Sequence, residues 1–244
     1  MASRGVEKSF GIGFMAEPSL NEDSDKVFQK HGIGVTAHHV GAEVSSAGAE
    51  EILREALKIS LGTDEDVFKR ADEFKFYDLG SGFGKFPMYA SFMGFRESTG
   101  IELDSQRAKY AAKRWDDMKQ DLPGCAENLK YVHDDFMKND EWTTGKEKRV
   151  IFVDAALFGF FWPQLVAKME SAEFGADSVV ALLGRPDLGT FNGRSQINVQ
   201  TSLSDKEKVT FFTKCLSKDP VECGRVVEIP AWEQLAMLKL HNES

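Results

Sequence analysis

The stretch from Phe74 to Gly84, Phe-Lys-Phe-Tyr-Asp-Leu-Gly-Ser-Gly-Phe-Gly, constrains this chain more than any other. Phe74 to Leu79 is apolar and aromatic and is followed by turn residues, the pattern of a short buried strand. Gly80, Gly82 and Gly84 leave alternate loop positions without side chains, so the backbone can turn sharply and approach a ligand closely. Lys85 to Met93 has helical character, with Pro87 tolerated in the first turn. Strand, glycine loop and helix in this order are expected to aim free backbone N–H groups at a ligand.

The segments around it repeat the alternation. Ser45 or Ser46 caps a helix with Glu50 and Glu51 in its first turn and Ile52, Leu53, Ala56 and Leu57 on its buried face. Ser98 to Glu102 is a second strand. Asp104 caps the next helix, which turns Ala108, Ala111, Ala112 and Trp115 inward and stops at Leu122-Pro123-Gly124. Leu129 to Val132 is a third strand. Val150 to Val153, a fourth, is β-branched or aromatic throughout, which suits the centre of a sheet, and it ends at Asp154. Phe160 to Ser171 reads as a helix that Pro163 forces to begin near Phe161, and Val179 to Leu183 as a fifth strand.

Strands alternating with helices indicate βαβ units. The expected fold is α/β: a Rossmann-like, open, mostly parallel seven-stranded sheet with helices on both faces and an antiparallel C-terminal edge. Val226 to Ile229 and Leu235 to Leu240 are the strands expected at that edge. Phe191 to Ser202 reads as a polar loop, and Val209 to Phe212 as strand or helix. Residues 1–42 form an expected arm or lid, and residues 43–244 the domain.

Charge and cysteine content exclude several classes. The net charge is −9, which disfavours tight non-specific binding to phosphates or nucleic acid. The densest basic cluster, Lys146 to Arg149, reads as a solvated loop. Cys125, Cys215 and Cys223 form no metal-like array, so no metal is expected and free thiols in a reducing compartment are the simplest reading. No apolar run approaches the roughly 20 residues of a membrane helix. The opening residues have no long apolar core behind them, which argues against a secretory signal. An intracellular protein, cytoplasmic or nuclear, is expected; nothing indicates its oligomeric state.

The chemistry lies in acids at successive strand ends: Asp78, Glu102, Asp135 and Asp154. In an open parallel sheet, ligands bind outside the carboxyl ends of the strands, so these acids are expected to converge. A carboxylate after the second strand suits a ribose diol. The dinucleotide pattern is Gly-x-Gly-x-x-Gly, with a pyrophosphate at the helix N-terminus. Here the loop is Gly-x-Gly-x-Gly, and Asp78 beside it repels a pyrophosphate but suits a cation or amino group. S-adenosylmethionine has a ribose, an ammonium, a sulfonium and no phosphate. Its adenine amino group can donate to Asp135 while Phe136 covers the ring. Asp154 is the candidate residue nearest a methyl acceptor, to orient an amine or accept a proton.

Asp78-Leu79-Gly80-Ser81-Gly82-Phe83-Gly84 with Gly100-Ile101-Glu102 resembles the cofactor site of class I S-adenosylmethionine-dependent methyltransferases. A narrower resemblance rests on Asp135-Phe136 with Glu141-Trp142, Val150 to Val153 with Phe158-Gly159, Glu43-x-Ser45, Trp232 and Leu240-His241. These are similar to the disruptor-of-telomeric-silencing (Dot-one) histone-lysine methyltransferases. The resemblance implies that Asp78 and Gly80 meet the methionine part, Glu102 the ribose, and Asp135 and Phe136 the adenine, with Glu43 approaching from the loop before the first helix. The chain departs from that family at Asp154, where the family has Asn, at Gly41-Ala42, where it has a Tyr, and near Leu238, where it has an aromatic residue. The expected activity is methylation of a protein lysine. The alternatives are a same-fold methyltransferase acting on a metabolite, a nicotinamide-dependent oxidoreductase, or a non-catalytic protein of this fold.

Overall fold

The computed structural model describes residues 44–121, 127–154, 162–175, 177–184, 192–199 and 207–213. All lie within Met1–Lys214, the first of two units into which the chain divides. The arm at 1–42, Glu43 and the strands expected at 226–229 and 235–240 lie outside the described residues. The elements, in chain order, are α1 (Ser46–Leu61), a 3-10 helix (Val67–Glu73), β1 (Phe74–Leu79), α2 (Lys85–Phe92), β2 (Glu97–Glu102) and α3 (Ser105–Asp121). They are followed by β3 (Leu129–His133), β4 (Lys148–Asp154), α4 (Trp162–Ser171), β5 (Val179–Leu183), β6 (Asn192–Val199) and β7 (Glu207–Thr213).

The strands form one sheet in the order β3-β2-β1-β4-β5-β7-β6. The first five are parallel. β7 runs antiparallel between β5 and β6. This is the expected fold class, but the antiparallel edge among the described residues is β7 with β6, where a polar loop was expected for 191–202. Asn192 to Val199 has little apolar patterning of its own. As the outermost strand it needs only backbone pairing with β7, and polar edge strands resist pairing with other chains. Lys146 to Arg149 also departs from the solvated-loop reading. Lys148 and Arg149 open β4, and Arg149 is 1% exposed, donating to the carbonyls of Trp142 and Thr144.

Strand alternation sorts side chains onto two faces. Phe74 and Phe76 of β1, Val150 and Phe152 of β4, and Val179, Ala181 and Leu183 of β5 share one core with α1 and α2. Tyr77, Leu79, Ile101, Ile151, Val153, Val180 and Leu182 face the other way, against Leu165 and Met169 of α4. Helices therefore cover both faces. Ile52, Leu53, Ala56 and Leu57 of α1 are fully buried, as their spacing requires.

Local capping fixes the helix starts. The Ser45 hydroxyl accepts from the Gly48 N–H at 3.1 Å, so α1 begins at Ser46. Glu50 and Glu51 then fall in the second turn and not, as expected, in the first. Glu50 instead accepts from Arg54 and from the Tyr89 hydroxyl, tying α1 to α2. Asp104 caps α3 through Gln106 N–H at 2.7 Å, as read from sequence.

Candidate cofactor and active site

The order of strands reverses between β1 and β4, which places a ligand crevice outside their carboxyl ends. Asp78 is the fifth residue of β1, Glu102 ends β2 and Asp154 ends β4. By alternation all three lie on the α1/α2 face. All three are buried, with exposures of 5%, 5% and 9%.

The glycine loop sits over them. Gly80, Gly82 and Gly84 have φ of +85°, +53° and +78°, a region that side chains make costly. Four of the loop's N–H groups are already bonded, where the sequence reading expected free donors. Gly80 and Ser81 both donate to the Ile101 carbonyl, at 2.9 and 3.1 Å. Gly82 donates to Glu102 Oε2 at 2.7 Å, and Gly84 to the Ser81 carbonyl at 2.9 Å. A pyrophosphate would find these donors occupied and three carboxylates below. This arrangement favours a ligand without phosphate over a pyrophosphate.

Asp78 carries the strongest electrostatic signal. Burial pushes its carboxyl well above the usual range, and the nearby charges of Glu102 and Asp154 push it further. Its carboxylate has no hydrogen-bond donor among the described residues. A cation or an ammonium is the group that would relieve it. Glu102 is also raised, mainly by burial, with the N–H bonds of Asp104 and Gly82 and the charge of Arg107 opposing. Its Oε1 accepts from Asp104 N–H at 2.8 Å. Each carboxylate oxygen has two acceptor sites, so Glu102 can bind both backbone donors and still accept from a diol. These residues fit S-adenosylmethionine.

The loop after β3 is fixed from within. Asp134 accepts from the Asp135 N–H and from the Asn139 amide, and Asp135 accepts from the Met137 N–H at 2.9 Å. The Asp135 carboxylate also lies 3.2 Å from Lys138 Nζ. Phe136 is 7% exposed, with its ring in the core beside Trp142 and its carbonyl accepting from Trp142 Nε1 at 2.7 Å. Asp78, Glu102, Asp154 and the three glycines thus gather at one end of the sheet, and Asp135 follows the adjacent strand. Tyr131 was not among the expected site residues, yet its hydroxyl donates to the Gly84 carbonyl at 2.6 Å. Only strand register could have found it. Among the described residues no group of three His, Cys, Asp or Glu side chains is arranged to hold a metal ion, and no helix is long and apolar enough to cross a membrane.

Comparison with known proteins adds a family match over part of the chain. The profile of the family described as "Histone methylation protein DOT1" matches residues 65–173, which span β1 to α4. No curated protein matches. Similar solved structures include the magnesium protoporphyrin IX methyltransferase of Synechocystis PCC 6803 with bound SAM. It has 10% identity and a TM-score of 0.49, with 88% of this chain and 92% of that chain covered. An RNA methyltransferase from Salinibacter ruber in complex with S-adenosyl-L-homocysteine has 18% identity and a TM-score of 0.42, with 64% and 97% covered. TrmN from Thermus thermophilus has 18% identity and a TM-score of 0.46, with 67% and 48% covered. At such scores these structures add no weight to the family match.

The glycine loop, the acids beneath it and the family match over 65–173 together mark a class I methyltransferase that uses S-adenosylmethionine. Within that class, the chain is similar to the DOT1 histone methylation proteins over the matched residues.

Proposed function

We propose that this enzyme methylates a lysine side chain of a protein substrate. The DOT1-type match over 65–173 is the observation that carries this reading. Asp78 and Gly80 hold the methionine arm, with Gly82 and Gly84 shaping the loop, Glu102 takes the ribose hydroxyls, and Asp135 with Phe136 takes the adenine. Glu43, in the segment before α1, approaches the methionine arm, and residues 1–42 close over the site as an arm or lid.

Bound S-adenosylmethionine supplies a methyl group already activated on a sulfonium, which a neutral amine can take by in-line attack. The protein's part is alignment and exclusion of water. Asp154, at the end of β4 beside the reversal point, orients the acceptor amine or takes its proton. An apolar channel lowers a lysine's pKa by desolvation and so favours the neutral nucleophile.

The net charge of −9 supports a second reading, in which the acceptor is a small metabolite in place of a protein lysine. A methyl-labelled cofactor added with the enzyme to whole-cell extract, histones and nucleosomes separates the two. Label on histone lysine supports the first reading. Label confined to the small-molecule fraction overturns it in favour of the second. Calorimetry showing tight binding of a reduced nicotinamide dinucleotide and none of S-adenosylmethionine would sink both.

A further inference from the structure

Register across the sheet places Phe152, Asp78, Gly100 and Tyr131 in one row over β4, β1, β2 and β3. Partners in a parallel register share a face. Gly100 has no side chain in this row. A Cβ there would lie 2.7 Å from Ser81 Oγ and 3.0 Å from Pro87 Cγ, so its absence lets the loop settle onto the strand. Tyr131 lies just beyond. Its hydroxyl donates to the Gly84 carbonyl, and its ring lies where a Cβ on Gly84 would be, 2.6 Å from Cζ. The same carbonyl accepts from Met88 N–H at 3.3 Å in the first turn of α2.

We propose that Tyr131 is a positioning residue for the cofactor, holding Gly84 so that the glycine loop keeps the shape that opens Asp78 to the methionine arm. This rests on the cofactor assignments given above. Among the described residues two side chains clamp the loop from outside it, beside the backbone bonds to Ile101 and Met88: Glu102 on Gly82 N–H and Tyr131 on the Gly84 carbonyl. Glu102 also meets the ligand, whereas Tyr131 acts only through the loop. The hydroxyl remains a donor at neutral pH, because burial and the charge of Asp78 push its pKa well above the usual value.

Tyr131→Phe removes the hydroxyl and keeps the ring. Calorimetry with two probes tests it: S-adenosylhomocysteine, which carries the amino-acid arm, and 5′-methylthioadenosine, which lacks it. The variant is expected to bind the first about five- to tenfold more weakly and the second within about twofold of wild type, the scale of one net hydrogen bond. Tyr131→Leu, which also removes the ring, should widen the same gap. A lower melting temperature with both dissociation constants unchanged overturns the proposal, as does an equal loss for both probes. If the wild-type protein binds neither probe, the cofactor assignments themselves fail and the proposal fails with them.

Discussion

The two ends of the central strands carry acids in opposite electrical circumstances. At the amino ends, Glu97 of β2 lies 3.4 Å from Lys75 of β1 and 3.0 Å from Lys130 of β3. Lys75 also lies 3.4 Å from Glu147, Lys130 pairs with Glu141, and Lys148 lies 3.4 Å from Glu73. At the carboxyl ends, about 10 Å along β1, Asp78 faces Glu102 and Asp154, two more acids. The first cluster is closed by folding. The second is left like-charged and buried, which folding alone does not relieve. Sites that work on ligands often hold such uncompensated charge, at a cost in stability.

The largest expected effect that would break this contrast comes from the loop over the acidic end. Gly84→Ala adds a Cβ that runs into the Tyr131 ring, 2.6 Å from its Cζ, and lies 2.7 Å from Ala111 Cβ, at φ +78°. Left-handed strain and overpacking together should cost about 2–4 kcal/mol in urea unfolding, with cofactor binding lost. Gly62→Ala is the control: φ is +63° but nothing lies within 4 Å, so only the strain of about 1–2 kcal/mol remains. Equal costs at the two positions would mean that packing beneath the loop is not what demands glycine there.

Asp78→Asn comes next and should move two properties in opposite directions. Removing a buried, like-charged carboxylate is expected to stabilise the ligand-free protein by about 1–2 kcal/mol. Loss of a charged acceptor should weaken S-adenosylmethionine binding by about 1.5–3 kcal/mol. A variant that is both less stable and unchanged in binding would remove Asp78 from the site.

The pH dependence sharpens the same comparison. Asp78 and Glu102 are raised above their ordinary values of 3.8 and 4.5. The folded protein therefore keeps protons that the unfolded chain has lost, and the stability these groups contribute is complete below about pH 4 and falls as pH rises through the folded values. At the other end, burial pushes Glu97 up, but Lys130 and Lys75 outweigh it and hold the carboxyl low. Glu147 is held down at about 2 by its own N–H and then by Arg149. Their contribution is present above the unfolded value and lost as pH falls. Unfolding measured from pH 5 to 8 should show a ligand-free protein losing stability with rising pH, and Asp78→Asn should flatten that slope.

The smallest effect is expected at the closed end. Glu97→Gln should cost at most about 0.5 kcal/mol, because partly exposed pairs are screened by solvent, and it should leave cofactor binding unchanged. A change in binding there would show that the two ends are not independent.

Much of this was legible along the chain because it depends on neighbours in sequence. Phe74 to Leu79 and Val179 to Leu183 were read at the bounds the structure shows, since each is a short run rich in apolar or aromatic residues and followed by a turn. Asp78, Glu102 and Asp154 could be placed at one end because each lies at or beside the end of such a run. Polar β6 was not legible, because an edge strand is made by its partner. Nor was buried Arg149, whose charge is met by carbonyls of a turn that no local pattern announces.

By itself the sequence determined the order of strands and helices from α1 to β5, the glycines that a left-handed loop requires, and the acids that a phosphate-free cofactor needs. These follow from side-chain periodicity and backbone sterics, which act over a few residues. Only the tertiary structure decided that four of the loop's N–H groups are already bonded, that Tyr131 stands level with Gly100 and Asp78, and that one end of the sheet is neutralised while the other is not. Those facts depend on which strands pair and in what register, and pairing joins residues whose separation in the chain carries no signal of it.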